Sequence, residues 1–299
     1  LFMRTNTERA DEVKGTTERA DEGKAIELFV ADIDGCLTYP FQAPDWALLT
    51  AIRELNRQSL HDPHIPPITL CTGRPLPYAE SVAQWLDIRH PFVFECAGLY
   101  DPRANRMWTG VPGIARRDRI QAGVEHSEDE ELVIPMERLI GSPLLEPIAR
   151  MKNWLTQELI PRYPGALLEF TKLMDAGIVS MDAEGIQRML PEIKERVQDD
   201  SGLEVHDTEV SVNILISGNN KEMGLRLISR ETGIPLDRIA YIGDSNGDLP
   251  AFGVAGSCHA PANAADVVKA IPHVMQMEGD VTLAVLQTYE WIVERNRSR

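Results

Sequence analysis

The stretch Glu27-Leu-Phe-Val-Ala-Asp-Ile-Asp-Gly35 decides the fold. It is a short apolar run that ends in acid, which is the pattern of a buried parallel β-strand followed by a turn. Asp32 and Asp34 stand two residues apart at the predicted strand end, and Gly35 permits a sharp turn there. We therefore expect both carboxylates to point into one cleft, where one can attack as a nucleophile and the other can carry a proton.

Strand and helix signals alternate on both sides of this stretch. Downstream, Asp45 is predicted to cap a helix, a buried strand follows over 68–72, and a further helix precedes a third buried strand over 92–95. Nearer the other end, a helix over 221–232 leads into a strand over 238–242. This alternation is typical of an α/β fold with a Rossmann-like parallel sheet, whose site lies at the carboxyl ends of the strands.

The pattern changes between residues 99 and 217. A hairpin and a charged irregular stretch are predicted over 99–143. The predicted elements that follow are a helix over 144–159, strands over 166–174 and 177–181, a helix over 186–197, and strands over 203–206 and 210–216. This αββαββ order is typical of an antiparallel sheet with two helices. The sequence thus predicts a core domain, over 25–98 and 218–299, with an inserted α+β domain over 99–217.

Residues 1–24 stand apart from both predicted domains. The octapeptide that begins at Thr7 recurs with one substitution from Thr17, and the whole stretch is polar and charged without an apolar stripe. Such a segment buries little surface, so we expect a mobile tail or a short solvated helix.

Composition narrows the classes of function. A formal net charge of −16 and a pI near 4.9 argue against nucleic acid or an anionic membrane as a partner. The four cysteines form no CxxC pair, and no apolar run approaches the roughly 20 residues of a membrane span. We expect a cytoplasmic protein, a monomer or a homodimer, in which any phosphorylated ligand meets local cations, a metal or backbone N–H groups.

Three further segments bring polar side chains to the ends of core strands. Thr72-Gly73-Arg74 offers a hydroxyl and backbone N–H groups suited to phosphate oxygens. Lys221 supplies a point charge that can hold a nucleophile and a phosphate together. Asp244 and Asp248 are hard oxygen ligands suited to Mg²⁺. A lysine at a predicted helix start opposes the helix dipole, which favours a functional role for Lys221.

In this order the four segments make the chain resemble the haloacid-dehalogenase superfamily of phosphotransferases. The resemblance covers about residues 28–289 and rests on DIDG at 32–35, Thr72, Lys221 and GDSNGD at 243–248. The αββαββ insertion between Thr72 and Lys221 resembles the subgroup with a large cap domain between the second and third motifs. That subgroup is dominated by phosphatases of sugar phosphates and similar small metabolites, so the resemblance implies a Mg²⁺-dependent phosphatase of a sugar phosphate or phospho-acid.

The resemblance also implies roles for the acids. Asp32 would form an aspartyl-phosphate and bind the metal, and Asp34 would be the general acid and then the base, with its backbone carbonyl on the metal. Asp244 would ligate Mg²⁺ directly, and Asp248 would do so directly or through water.

Thr72 and Lys221 would hold the transferring phosphoryl group, beside Gly73 and Arg74. These roles agree with what phosphoryl transfer requires, which is mainly positioning of the reacting groups and neutralisation of charge.

The sequence departs from the subgroup pattern at two places. Gly247 stands where the subgroup usually has Asn, which affects the metal-site geometry, and Glu95-Cys-Ala-Gly98 stands where the third strand commonly ends in Asn-Gly near the substrate. Two alternatives stay open: a phosphomutase, which shares the first half-reaction, and a non-catalytic binding protein on the same fold. The substrate is not written in the motifs, because a cap supplies the contacts that select it.

Overall fold

The computed structural model describes residues 24–121, 131–198, 202–208 and 210–299, with residues 118–121 described by their backbone alone. The predicted tail over 1–24 lies outside the described residues except for Lys24, whose Nζ lies 2.6 Å from a carboxylate oxygen of Asp237.

The strands are β1 (Leu28–Ala31), β2 (Ile68–Leu70), β3 (Phe92–Phe94), β4 (Gly98–Asp101), β5 (Arg106–Thr109), β6 (Ile134–Pro135), β7 (Leu167–Leu168), β8 (Asp175–Val179), β9 (Leu203–Asp207), β10 (Ser211–Ile216), β11 (Ile239–Ile242), β12 (Ser257–Ala260) and β13 (Val274–Gln276). The α-helices are α1 (Trp46–Gln58), α2 (Leu76–Trp85), α3 (Val111–Gln121), α4 (Glu146–Trp154), α5 (Ala183–Gln198), α6 (Lys221–Thr232), α7 (Leu249–Phe252), α8 (Asp266–Lys269) and α9 (Val281–Arg297). In the described part of the chain, no helix is both long and apolar enough to cross a bilayer.

A parallel sheet with the strand order β13-β12-β11-β1-β2 forms the centre of the core. Along β1, Phe29 and Ala31 enter one hydrophobic cluster, whereas Leu28 and Val30 enter another on the opposite face. Both faces of the strand are covered, so its sequence is continuously apolar rather than alternating. The predicted Rossmann-like core is confirmed. The predicted N-cap of α1 is confirmed as well, because Asp45 accepts hydrogen bonds from the N–H groups of residues 47 and 48.

The third predicted core strand differs from its prediction. β3 pairs antiparallel with β4 and meets the parallel sheet through a single bridge between Val93 and Cys71. The reason lies just after β3, where Glu95 and Cys96 both have positive φ angles, 45° and 59°. This sharp turn reverses the chain, so that β3, β4, β5 and β6 form a small antiparallel sheet of their own.

The predicted irregular stretch over 99–143 is only partly irregular. The hairpin is present as β4 and β5, but α3 was not predicted. Its first turn reads Val111-Pro-Gly, which is typical of a turn. Proline is nevertheless tolerated in a first helical turn, where its missing N–H has no partner to lose. The N–H of Val111 donates to Thr109 Oγ1 at 3.2 Å, which completes the start of the helix.

The inserted segment forms a separate antiparallel sheet with the order β7-β8-β10-β9, so its strands do not run in the sheet that holds β1. α4, extended by a π-helical turn over Leu155–Leu159, and α5 pack against this sheet. The αββαββ order is therefore present. The strand predicted over 166–174 shortens to β7, because the N–H groups of Phe170 and Lys172 donate to carbonyls within a turn rather than to β8.

The hairpin of β4 and β5 packs with the core. Leu99 is buried in the same cluster as Val93 and Ile228, and Trp108 packs against that cluster. The division into a core and an inserted domain over 99–217 remains a prediction, and this packing favours a boundary that lies after the hairpin. We call the αββαββ segment, β7 to β10 with α4 and α5, the cap.

Candidate active site

The carboxyl ends of three parallel strands bring the predicted site residues together. Ala31 at the end of β1 is in register with Leu70 of β2 and with Ile242 of β11. Asp32 follows β1 directly, while Thr72 and Asp244 each follow two residues after the neighbouring strands end. Adjacent parallel strands end at one edge of the sheet, so the three side chains meet there.

Lys221, the first residue of α6, lies buried between two carboxylates. Its Nζ is 2.7 Å from Asp32 Oδ2 and 2.6 Å from Asp248 Oδ1. Burial disfavours the charged ammonium, but Asp248 and Asp32 reverse this effect and raise the pKa of Lys221 well above its ordinary value. The lysine is therefore a fixed positive charge beside the predicted nucleophile, as the sequence predicted.

Asp248 is fully buried and saturated with hydrogen bonds. Oδ1 accepts from Lys221 and from the hydroxyl of Tyr241, and Oδ2 accepts from the backbone N–H groups of Asp244 (3.1 Å) and Ser245 (2.9 Å) and from the Ser245 hydroxyl (2.9 Å). Burial acts to raise the pKa of Asp248, but Lys221 and these donors lower it below its ordinary value. Asp248 thus fixes the loop that carries Asp244 and orients Lys221.

Tyr241 and Ser245 were not predicted as site residues. Tyr241 reads as one apolar position of a buried strand, and Ser245 as a turn residue inside the acidic motif. Ser245 and Asp248 form a capping box, whose spacing is visible in the sequence, whereas nothing local marks the hydroxyl of Tyr241, seven residues before Asp248.

Gly35 allows the two acidic loops to approach each other closely. Its φ is +72°, and a Cβ at this position would lie 2.0 Å from Asp244 Oδ2. A side chain here would displace Asp244, so the glycine after the first acidic motif is needed for space as well as for the turn. At Gly247, the departure from the subgroup pattern, an added Cβ would have its nearest neighbour at 3.6 Å, in the Ser245 hydroxyl, so this glycine is not forced by packing.

Asp32, Asp244 and Asp248 form a carboxylate cluster in which one oxygen from each lies within 4.8 Å of the others. Burial, opposed mainly by Lys221, raises the pKa of Asp32 to about 7. Burial together with repulsion from Asp248 and Asp32 raises the pKa of Asp244 to about 8. Like charges held this close favour either a proton or a cation between them.

Asp34 does not join this cluster through its side chain, although its charge helps to raise the pKa values of Asp32 and Asp244. Its side chain forms a bidentate pair with Arg74, whose Nε lies 2.6 Å from Oδ2 and whose Nη2 lies 3.0 Å from Oδ1. Arg74 also stacks over the ring of Tyr78 at 5.1 Å, and its backbone N–H donates to Thr72 Oγ1 at 3.1 Å. Thr72 and Arg74 thus meet at the site as predicted, with Gly73 between them, but Arg74 binds the second aspartate of the first motif.

A further set of charged residues approaches the site from the cap and was not predicted. Arg74 Nη1 lies 3.6 Å from Glu169, which in turn lies 3.2 Å from Lys172 Nζ. Glu95, at the end of β3, accepts hydrogen bonds from the backbone of Leu173 and Met174. The signal available in the sequence was Glu95-Cys-Ala-Gly98, where the third strand of the subgroup commonly ends in Asn-Gly.

Comparisons with known proteins agree with this geometry. A family profile described as haloacid dehalogenase-like hydrolase matches residues 166–278. Two curated relatives are phosphoglycolate phosphatases. The one from Methanopyrus kandleri is 28% identical over 257 residues, which covers 83% of this chain and 89% of the relative. The one from Methanothrix thermoacetophila is 26% identical over 245 residues, which covers 82% and 87%.

Solved structures show the same fold. A Thermoplasma acidophilum protein aligns with a TM-score of 0.61 at 17% identity, covering 90% of this chain and 99% of that chain. The sucrose-phosphatase of Synechocystis, solved with sucrose and phosphate, aligns with a TM-score of 0.56 at 10% identity, covering 90% and 98%.

Proposed function

We propose that this chain, a phosphatase that belongs to the haloacid dehalogenase-like hydrolases, uses Mg²⁺ and an aspartyl-phosphate on Asp32 to hydrolyse a small phosphorylated metabolite. The observation that carries the proposal is the buried contact of 2.7 Å between Asp32 and Lys221, at the edge of a sheet where Thr72 and two further carboxylates converge. A binding role would not require this concentration of buried charge.

Asp32 is the group placed to attack phosphorus. One of its oxygens binds Lys221, so the carboxylate is held in one orientation while its other oxygen remains to bond to phosphorus. Lys221 lies where it can also neutralise charge on the transferring phosphoryl group, and the Thr72 hydroxyl can donate to one of its oxygens. In the second step, water attacks the phosphorus of the phospho-aspartate and the Asp32–phosphorus bond breaks, which releases phosphate.

Asp34 is the group proposed to move the proton. It would protonate the leaving oxygen in the first step and take a proton from the attacking water in the second. Its bidentate pair with Arg74 orients the carboxyl group and favours the ionised form, so Arg74 would release one oxygen before Asp34 carries the proton.

The carboxylate cluster fits Mg²⁺, which prefers oxygen ligands. Asp32 and Asp244 are the side chains that would hold it, because the oxygens of Asp248 are already engaged by five donors. Asp248 would then act on the metal through the loop that it orients, and the Asp34 carbonyl is the proposed backbone ligand. When bound, the ion supplies positive charge that stabilises the transferring phosphoryl group.

For the substrate class, we propose a small phospho-acid of the kind named in the two curated relatives, or a sugar phosphate. Arg74 is the cation that the second motif brings to this side of the molecule, and a carboxylate on the substrate would compete with Glu169 for it.

The test is an assay of phosphate release over a panel of phosphorylated acids and sugars, with Mg²⁺ and with chelator. We expect release that needs Mg²⁺, is lost with chelator and returns when the ion is restored. Isomerisation of a sugar phosphate without release would favour the phosphomutase, and undiminished release in chelator would contradict the metal mechanism.

A further inference from the structure

Glu95 lies where the core meets the cap, and the residue is only 2% exposed. The backbone N–H of Leu173 lies 2.9 Å from each carboxylate oxygen, and that of Met174 lies 2.6 Å from Oε2. We propose that Glu95 is a positioning residue that holds the cap loop, residues 169–174, over the Asp34–Arg74 pair and thereby sets the affinity for substrate. This inference rests on the phosphatase function proposed above.

The core holds the backbone of Glu95. Its N–H donates to the carbonyl of Arg74 at 3.0 Å, and its own carbonyl accepts from the side chain of the buried Asn219 at 3.2 Å. Glu95 and the next residue both have positive φ angles, and at this turn the side chain of Glu95 meets the cap loop. A non-glycine residue in this region of φ costs free energy, so the surroundings must maintain it.

A carboxylate suits this position because both of its oxygens face N–H donors. An amide would offer one oxygen and would turn an NH₂ group towards the N–H of Leu173 or Met174. Burial, then repulsion from Asp175, raises the pKa of Glu95 to about 7, while the bonds from Met174 and Leu173 act in the opposite direction. A buried carboxylate is costly, and these backbone donors are what compensate it.

The cap loop that Glu95 holds is tied to the cap through Lys172 and contacts Arg74 of the proposed site. Lys172 Nζ binds Asn213 Oδ1 at 2.7 Å, Asp175 Oδ2 at 3.1 Å and Glu169 Oε2 at 3.2 Å, so all three of its N–H groups have partners within the cap. Glu169 then contacts Arg74 at 3.6 Å.

The contacts therefore run without a break from Glu95, through the cap loop and Arg74, to Asp34. A loop fixed at both ends presents its side chains to the substrate in one arrangement, and loosening it adds an ordering cost to binding. Loss of the Glu95 contact should therefore raise KM more than it lowers kcat.

The test compares wild type with Glu95→Gln, Glu95→Asp and Glu192→Gln. Glu192 pairs with Arg162 on the exposed surface of the cap. Glu192→Gln therefore makes the same chemical change as Glu95→Gln, but at a site away from the core. Hydrogen exchange would be followed by mass spectrometry on the peptide that spans the cap loop. KM and kcat would be measured on the best substrate of the phosphate-release panel, at a temperature where each variant is folded.

For Glu95→Gln we expect at least tenfold faster exchange in the cap loop, no change in core peptides, and KM raised about tenfold with kcat within a factor of three. Glu95→Asp keeps the charge but has a shorter side chain, so its exchange rate and KM should lie between those of wild type and Glu95→Gln. This variant keeps the test valid if Glu95→Gln fails to fold. Exchange and KM equal to those of Glu192→Gln, or a fall in kcat with KM unchanged, would overturn the proposal. If wild type releases no phosphate, the proposed function fails, and the exchange result alone still decides whether Glu95 holds the loop.

Discussion

At the scale of the residue, the buried Lys221 is stable because two carboxylates share it. Removing a single partner from a buried ion pair usually leaves an uncompensated charge, at a cost of about 3–5 kcal/mol. Here the ammonium would still lie 2.6 Å from Asp248 if Asp32 were neutral. Loss of the Asp32 charge should therefore lower activity far more than it lowers the free energy of unfolding.

Asp32→Asn tests this separation. The amide keeps the shape but has no negative charge with which to attack phosphorus, so kcat should fall by about 10³ or more. The melting temperature should change by only a few degrees, because Lys221 retains Asp248. Phosphate release and thermal unfolding would be measured on the same preparation, and a variant that keeps more than about a tenth of the wild-type rate would require another nucleophile.

Gly35→Ala tests the close approach of the two acidic loops. The alanine should displace Asp244, which we propose as a metal ligand. We therefore expect kcat/KM to fall at least about a hundredfold and the Mg²⁺ concentration needed for half-activity to rise about tenfold. The matched control is Gly233→Ala, since Gly233 has φ +71° and open space within 4 Å of an added Cβ.

Both substitutions place a side chain in the left-handed region, at a cost of about 1–2 kcal/mol in the free energy of unfolding. Only Gly35→Ala should alter the response to Mg²⁺. An equal loss of activity in the two variants would mean that strain, and not Asp244, is responsible.

At the scale of the element, β12 carries a histidine that is fully buried. Its Nε2 lies 2.9 Å from the hydroxyl of Ser257, and its ring packs edge-on against Trp291 of α9, with centroids 4.9 Å apart. Burial, with a smaller contribution from the positive charge of Arg295, lowers the pKa of His259 to about 3. In the unfolded chain a histidine titrates near about 6.5.

The pH dependence of stability follows from these two values. Between about pH 6.5 and 3 the unfolded chain binds more protons at His259, so its contribution to stability is complete above pH 6.5 and is lost progressively as the pH falls. Between pH 7.5 and pH 5, the free energy of unfolding measured in urea should fall by up to about 2 kcal/mol more in wild type than in His259→Gln. The exposed His61, changed likewise to Gln, should behave as wild type, and equal losses in wild type and His259→Gln would contradict the assignment.

At the scale of the whole molecule, the core holds the proposed reacting groups, and the cap meets the core where Glu169 contacts Arg74 and where the cap loop donates to Glu95. A change in the cap should therefore alter which substrate is preferred, whereas a change at the sheet edge should slow every substrate. The net charge of −16 reinforces the need for local cations, because the surface as a whole repels phosphate esters.

Glu169→Gln and Thr72→Val test this division across the phosphorylated panel. We expect the ratio of kcat/KM between a phospho-acid and a sugar phosphate to change about tenfold in Glu169→Gln, because Arg74 loses its cap carboxylate and becomes more available to an anion. Thr72→Val should lower kcat/KM about a hundredfold for all substrates, as does the loss of one donor to the transferring group. A uniform decrease in both variants would place specificity outside the contact between Glu169 and Arg74.

The sequence by itself determined the core and the set of side chains that meet at its edge. The run before Asp32 is apolar because both faces of β1 are buried, and that pattern is local. Asp32, Thr72 and Asp244 each follow a strand directly or within two residues, so the rule that parallel strands end at one edge was enough to bring them together. The order of elements in the insertion could be predicted for the same reason, since its helices and strands carry their own periodicities.

Only the tertiary structure decided which partner each of these groups binds. Asp248 joins Lys221 to Tyr241, Arg74 binds Asp34, and Glu95 binds the backbone 78 and 79 residues further along the chain. Hydrogen bonds over such separations leave no period in the sequence, because they depend on where two independently formed elements pack. The strand predicted over 166–174 stops after Leu168 because the chain turns there: the N–H of Phe170 donates to the carbonyl of Leu168, and that of Lys172 to the carbonyl of Glu169. Beyond this turn, the next two N–H groups donate to the buried carboxylate of Glu95 in the core.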